Sequence, residues 1–128
     1  MKINTHHKIN QSLCGTPILI EENRCIVEFK AIESMIADDS GLIHGGFIFG
    51  LADYAAMLAV NHPNVVLGSA TAKFIKPVKI GATLVAEADV TAHEGKKLQV
   101  SVCIKRDGDT VFEGDLTCFI LPKHVLAP

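Results

Sequence analysis

Tryptophan is absent from this sequence of 128 residues, and tyrosine occurs once. Proteins that bind single-stranded nucleic acid stack the bases on aromatic side chains, so no such platform is expected. Basic residues are not in excess either, because 12 Lys and Arg stand against 14 Asp and Glu for a formal net charge of −2. A general nucleic-acid binder would show a basic excess or stripe. We therefore expect no nucleic-acid partner.

The cysteines lack the Cys-x-x-Cys spacing of a metal or redox motif. They stand at Cys14, Cys25, Cys103 and Cys118. The first ten residues contain no apolar core of a signal peptide. These observations predict a cytoplasmic protein with reduced thiols, although an even count would permit disulfides in a secreted one.

The sequence also lacks the residue patterns that are typical of metal and cofactor sites. His6 and His7 are adjacent, and adjacent residues do not share a helix face, so we expect a solvated pair rather than two ligands. His44 and Asp53 are nine residues apart instead of the three or four that bring two ligands to one helix face. No glycine-rich phosphate loop is present. We expect no metal and no cofactor.

Charge is missing from a long central stretch, in which Asp53 is the one formally charged residue between positions 40 and 72. The apolar run over 42–60 approaches the length of a membrane span. However, it contains Asp53, His44 and three glycines, and alternating strands follow it, so we expect no membrane partner. A helix that is apolar on all sides is buried, and a carboxylate there costs several kcal/mol of desolvation unless it has a partner. Asp53 is therefore the first candidate for chemistry.

Two helices are predicted from spacing and end signals. Ile9 and Leu13 are one helical turn apart and Gly15 is placed as a C-cap, which predicts a short N-terminal helix. The long central helix should begin near Gly45 and end around Asn61-His62-Pro63, where Pro63 stops it. Because this helix is apolar all round and a sheet covers one side only, we expect a second copy of the chain to cover the rest.

Alternation of apolar and polar residues predicts an antiparallel meander. Strands are expected over residues 17–21, 24–31, 65–75, 82–93, 97–105 and 110–121. In the strand over 82–93, alternate residues from Leu84 to Ala92 should face the core. The Asp107-Gly108 pair signals a hairpin, and residues 33–43 are expected to form a loop. This order predicts an α+β fold in a single domain over residues 1–128.

The stretch His44-Gly45-Gly46, continued to Leu51 and Asp53, resembles the His-Gly-Gly-x4-Leu-x-Asp signature of hotdog-fold acyl-CoA thioesterases. It is most similar to the branch named after the phenylacetate-pathway thioesterase PaaI. The resemblance implies a hotdog fold, a long central helix wrapped by a curved antiparallel sheet, over nearly the whole chain. It also implies an acyl-CoA substrate and a homodimer or a dimer of dimers.

Physical chemistry agrees with the roles that this family pattern implies. Thioester hydrolysis needs a donor for the developing oxyanion, and free N–H groups at a helix N-terminus provide one. By the pattern, the Gly45 N–H, alone or together with that of Gly46, would hold the thioester carbonyl. Asp53 lies about 12 Å further along the helix, so the acid would come from the opposite protomer. Asp53 would serve as general base or nucleophile, and His44 as a helix-start hydrogen-bond partner or a direct participant.

Other site candidates follow from the same resemblance, with one departure. Six residues before the motif His, several family members have an Asn that positions the carbonyl or the water, and here Asp38 stands there. An ionised acid cannot donate that hydrogen bond. Ser69 or Thr71 would supply a family hydroxyl near the acid. Phe47 would shape the acyl pocket, and Lys73 belongs to a basic cluster that could meet the phosphates of coenzyme A.

Two other functions remain open. A non-catalytic acyl-CoA sensor of the same fold would bind the ligand without turnover, and the Asp38 departure keeps this alternative open. An acyl thioester dehydratase is the third reading, but those enzymes carry a different His and acid spacing.

Overall fold

The computed structural model describes residues 1–128. It has two helices, α1 (Gln11–Cys14) and α2 (Gly45–Val60), and a short 3-10 helix, Glu33–Met35. The six strands are β1 (Thr16–Glu21), β2 (Arg24–Lys30), β3 (Val65–Phe74), β4 (Thr83–Glu94), β5 (Lys97–Arg106) and β6 (Asp109–Ile120). The α+β prediction and the order of its elements are confirmed, and the N-terminal helix is a single turn.

The strands form one open sheet in the order β1-β2-β4-β5-β6-β3, with every neighbouring pair antiparallel. Asp107 and Gly108 both have positive φ (49° and 84°), as the turn between β5 and β6 requires. The inward face predicted for β4 is confirmed at Leu84, Ala86 and Ala88, which are buried. It is wrong at Ala92, which is exposed because a bulge between Val90 and Ala92 shifts the alternation.

Helix α2 lies against all six strands. Its sheet-facing side is made of small and branched apolar residues that are fully buried, including Leu51, Ala55 and Leu58. Asn61 ends the helix in a left-handed conformation (φ 52°) and donates its N–H to the Met57 carbonyl. The helix therefore ends at Val60, before Pro63 is reached.

The N-terminal segment of the same chain covers part of the side of α2 that the sheet leaves free. Asn61 donates its side-chain amide to the Lys2 carbonyl and accepts the Asn4 N–H, both at 2.8 Å. Further along, Gln11 donates to the Tyr54 hydroxyl at 3.4 Å. The expectation that a second copy must cover this whole side is thus too broad, because residues 2–11 already cover the stripe of Tyr54 and Asn61.

A second stripe of α2 stays uncovered. Gly46, Gly50 and Asp53 follow one another at four and three residues, so they share a helix face. A Cβ built on Gly50 would meet no atom within 4 Å. β3 is an edge strand, and residues 68–71 in it are exposed. One helix stripe and one sheet edge are therefore open to another molecule.

Neither helix has the length and apolarity that crossing a bilayer would require. All four cysteines are free thiols.

Candidate active site

His44 fixes the start of α2. It is the N-cap residue, and its Nδ1 accepts the Gly46 N–H at 2.8 Å. A side chain at Gly46 would collide with this ring, since a Cβ there would lie 2.8 Å from Nδ1. The glycine thus lets the imidazole fold back over the helix end. Because its N–H is already bonded, Gly46 is not a second free donor.

The Gly45 N–H is the donor that the first turn leaves free. The next two N–H groups are both used, since Gly46 donates to the His44 ring and Phe47 donates to the His44 carbonyl at 3.1 Å. The Gly45 N–H has no acceptor in the chain. It carries the positive end of the helix dipole. This is the geometry of a donor that can stabilise a developing negative charge.

Gly45 also lines a small pocket of about 230 Å³. Phe74 stands beside it, and a Cβ on Gly45 would come within 3.3 Å of the Phe74 ring. Phe74 packs edge-on against Phe112 with ring centroids 5.2 Å apart, yet remains 55% exposed. Phe74 was not among the site residues predicted from the sequence, although a large apolar residue at the end of a strand is a feature that could have indicated a pocket. Phe47 is half-buried against the core and edge-on to His44.

Asp53 is half-buried on the open stripe of α2 and has no hydrogen-bond or ion-pair partner in the chain. Burial raises the pKa of its carboxyl, and the charge of His6 opposes that rise. A carboxylate with a raised pKa is a better proton acceptor from water. Because Gly45 and Asp53 belong to one continuous helix, about 12 Å separates them along its axis. They cannot act together on one carbonyl within a single chain.

The Asp38 side chain forms hydrogen bonds within its own turn. Its carboxylate accepts the Ser40 N–H at 2.9 Å and the Ser40 hydroxyl at 2.5 Å, which closes the turn before Gly41. These hydrogen bonds lower the pKa of Asp38. The side chain is exposed and acts as an acceptor, so within this chain it does not supply the donor that the family Asn provides.

Within one chain, the structure does not bring Ser69 or Thr71 to Asp53. A bulge at Gly68 shifts the alternation of β3, so Ser69 pairs with Thr117 while Leu67 pairs with Cys118. Ser69 and Thr71 therefore share the outer face of the sheet, away from α2. A Cβ on Gly68 would overlap the Phe119 ring, which explains the glycine. An isolated glycine in a strand is the signal that could have predicted this bulge.

Lys73 lies on the same outer face, opposite Glu113. It therefore does not line the pocket beside Gly45. Lys76, which does line it, is 3.6 Å from Asp109.

His6 is the residue that the sequence reasoning missed. The expectation of a solvated histidine pair holds for His7, which is exposed, but not for His6. The His6 ring packs against Tyr54, with centroids 6.4 Å apart. Only the folding of the N-terminal segment onto α2 brings it there, so no local pattern in the sequence could show it.

No group of three or more potential metal-ligating side chains occurs in the structure.

A family model described as the thioesterase superfamily matches residues 40–113, which include α2 and most of the sheet. The chain belongs to this superfamily. Its long helix against an open six-stranded antiparallel sheet is the hotdog fold of these proteins, as the resemblance implied.

Solved structures of the superfamily fold match almost the whole chain. An uncharacterized protein from Pyrococcus horikoshii is 50% identical, with a TM-score of 0.98 over 99% of this chain and 98% of that one. An Asn-to-Asp mutant of the phenylacetic acid degradation protein PaaI from Thermus thermophilus is 25% identical, with a TM-score of 0.80 over 87% and 96% of the two chains. A Streptococcus mutans protein bound to acetyl CoA shares the fold at 22% identity, with a TM-score of 0.82 over 94% and 99%.

Curated relatives are longer proteins. A methylthioribose-1-phosphate isomerase of Aquifex aeolicus is 52% identical over 94% of this chain, which is 27% of that protein. The transcription factor FapR of Caldanaerobacter subterraneus is 32% identical over 80% of this chain and 52% of its own length. The chain thus spans about a quarter to a half of the curated relatives it matches.

Proposed function

We propose that this protein is an acyl-CoA thioesterase, in which residues 1–128 form one domain and two copies form the active sites between them. One observation carries the proposal: helix α2 bears a backbone donor without an acceptor at Gly45 and a carboxylate without a partner at Asp53. Oxyanion stabilisation and activation of water need these two groups. The acetyl CoA bound to the Streptococcus mutans neighbour supports the choice of ligand.

The reaction follows from these two groups. The thioester carbonyl oxygen accepts the Gly45 N–H of one subunit, at the positive end of α2. Asp53 of the partner subunit takes a proton from water, whose oxygen then bonds to the carbonyl carbon. The carbon–sulfur bond breaks, and the proton goes to the departing thiolate. The products are a free acid and the coenzyme A thiol.

The homodimer is part of this proposal because of the separation within one chain. About 12 Å of helix lies between Gly45 and Asp53, so the pair can converge only if two copies of α2 lie side by side. The uncovered stripe of Gly46, Gly50 and Asp53 has the small residues that allow such an approach. The exposed edge of β3 is a further surface for a second copy. Analytical ultracentrifugation showing a stable monomer at micromolar concentration would contradict the dimer.

Ser69, Thr71 and Lys73 are left out of the proposed catalytic machinery, because they lie on the outer face of the sheet. Phe47 and Phe74 are proposed to border the acyl chain beside Gly45.

The test is release of free thiol from short, aromatic and long acyl-CoAs by wild type and by Asp53→Asn. We expect turnover by wild type on at least one substrate and a loss of about 10²–10⁴-fold in the variant, the range for a general base. The absence of turnover on every substrate would contradict the proposal.

A second candidate is an acyl-CoA sensor. It is favoured by the match to the transcription factor FapR over half of that protein and by Asp38, whose carboxylate closes a turn instead of donating to a ligand. Calorimetric binding of an acyl-CoA by wild type, together with no thiol release, would support the sensor.

A further inference from the structure

Two short segments form a wall beside the pocket of Gly45. Residues 41–43, which precede α2, pair antiparallel with residues 78–80, which lie between β3 and β4. Two backbone hydrogen bonds join them, from the Ile43 N–H to the Val78 carbonyl at 2.9 Å and from the Ile80 N–H to the Gly41 carbonyl at 2.8 Å. The two segments therefore form a small two-stranded ladder.

The two faces of this ladder differ. Successive side chains of a strand point to opposite faces, so Ile43 and Val78 share one face. Both are buried, at 4% and 3% exposure, and both line the pocket of about 230 Å³ beside Gly45. Leu42 and Lys79 stand opposite each other in the ladder, and both are exposed. The ladder thus has an inner face toward the pocket and an outer face.

A second hollow of about 210 Å³ lies on the outer side of the ladder, where Leu42 and Lys79 line it. Pro77 and Val78 line both this hollow and the pocket beside Gly45. Of these two shared residues, Val78 is the buried one. Val78 therefore stands between the two hollows.

Hydrogen bonds to the sheet hold the segment that carries this wall. Arg106, at the end of β5, donates its Nη1–H to the Pro77 carbonyl at 2.9 Å. The Val111 carbonyl in β6 accepts the N–H groups of Ile75 and Lys76, at 2.8 and 3.3 Å. The wall is thus tied to the sheet before Val78 and to the ladder at Val78, so a ligand in the pocket meets a fixed boundary.

We propose that Val78 is a specificity-determining residue for the acyl group, because the wall in which it stands limits the length of chain that the pocket accepts. This inference rests on the proposed function, since it takes the thioester carbonyl to be held at the Gly45 N–H. From that point the acyl chain can enter the pocket, which has a largely apolar lining. The apolar lining residues are Ile43, Ile48, Phe74, Val78 and Val111.

The size of the pocket indicates the class of acyl group. A group of the size of a water molecule takes roughly 30 Å³, so about 230 Å³ holds roughly eight such groups. A straight chain of about eight carbons, or one aromatic ring on a short linker, fills this space. The lining contains no acid, and its one charged residue, Lys76, lies 3.6 Å from Asp109. We therefore expect an apolar acyl group of short to medium length.

The test measures kcat/KM for straight-chain acyl-CoAs, from acetyl to palmitoyl, with wild type and Val78→Ala. In wild type, kcat/KM should rise about fourfold for each methylene that becomes buried and stop rising at about eight carbons. Val78→Ala opens the wall toward the second hollow of about 210 Å³. In this variant the rise should continue for about four further carbons.

Val111→Ala is the matched control. Val111 is equally buried and lines the pocket beside Gly45, but it does not line the second hollow. Its truncation removes the same two methyl groups without opening the wall, so it should extend the accepted chain by about two carbons at most. Val78→Ile adds one methylene to the wall and should shorten the accepted chain by about one carbon. This second variant tests the wall even if the alanine variant does not fold.

An equal extension in folded V78A and V111A, or an unchanged limit in V78I, would overturn the proposal and leave the thioesterase in place. Calorimetry with acyl-CoA thioethers, which cannot be hydrolysed, separates the two claims. A limit of binding that moves to longer chains in V78A, in proteins that release no thiol from any thioester, would support the wall and contradict the thioesterase.

Discussion

The imidazole of His44 accepts the Gly46 N–H at 2.8 Å, and this hydrogen bond decides which backbone donor of α2 is left free. Without it, two adjacent glycine N–H groups would compete for a ligand at the helix start. With it, the Gly45 N–H is the one donor among the first three residues of α2 that lacks an acceptor. Each residue of the His-Gly-Gly triplet therefore has its own role. His44 caps the helix, Gly45 keeps a free N–H, and Gly46 leaves room for the His44 ring.

Replacing Gly45 by proline tests the donor directly. Proline is well tolerated at the first position of a helix, and His44 already has the extended backbone (φ −63°, ψ 133°) that precedes a proline. Gly45→Pro should lower kcat by about 10²–10³-fold, as loss of one oxyanion donor does. The measurement is thiol release at saturating acyl-CoA.

Gly45→Ala is the control for crowding, since both variants add a Cβ that comes within 3.3 Å of Phe74. Alanine keeps the N–H, so it should retain far more activity than proline. Equal losses in the two variants would indicate a steric effect and contradict the donor role.

Replacing His44 tests the cap. His44→Ala removes the acceptor for the Gly46 N–H and should lower the free energy of unfolding by about 1 kcal/mol. His44→Asn supplies another N-cap acceptor and should recover most of this loss. Urea unfolding of the three proteins at one protein concentration measures both effects.

The same pair of variants decides whether the ring takes part in chemistry. General acid or base catalysis contributes about 10²–10⁴-fold. We expect H44N to stay within about tenfold of wild-type turnover, because a cap needs an acceptor and not an imidazole. A stable H44N protein that loses more than a hundredfold would assign the ring a direct role.

Asp53 makes stability depend on pH in a defined direction. Its pKa is raised in the folded protein by burial, so its favourable contribution is present below the unfolded-state pKa and is lost as pH rises through the folded-state value. Asp53→Asn should therefore have a higher free energy of unfolding than wild type at pH 7, and this advantage should shrink toward acid pH. Denaturant titrations at matched protein concentration check it. An Asn variant that is less stable than wild type at pH 7 would show that the carboxylate has a stabilising partner.

The sequence predicted those parts of the fold in which neighbouring residues decide the structure. β5 alternates without interruption from Leu98 to Ile104, and Asp107-Gly108 forms the expected turn. The prediction failed where one extra residue shifts a strand, because the bulge between Val90 and Ala92 leaves Ala92 exposed. Pattern counting assumes a constant period of two, which a bulge breaks.

The same limit applies to the candidate site, where the sequence predicted residues with a local signal and missed a contact made by long-range packing. Gly45 and Asp53 were found because a charge and two glycines are conspicuous in an apolar helix, and the structure then showed that both lack partners. The packing of His6 against Tyr54 was not predicted, because the two residues lie 48 positions apart in the chain and meet only when the N-terminal segment folds onto α2 near Asn61. Long-range packing of this kind has no local signature.

Mixed dimers test the central claim, that Gly45 and Asp53 act from opposite subunits. G45P keeps a functional Asp53, and D53N keeps a functional Gly45, so a dimer of one with the other contains one complete site and one that lacks both groups. Unfolding and refolding the two inactive variants together in equal amounts should restore about a quarter of wild-type thiol release, since half of the dimers are mixed and each has one complete site. No recovery in a mixture shown to contain mixed dimers would contradict the shared site.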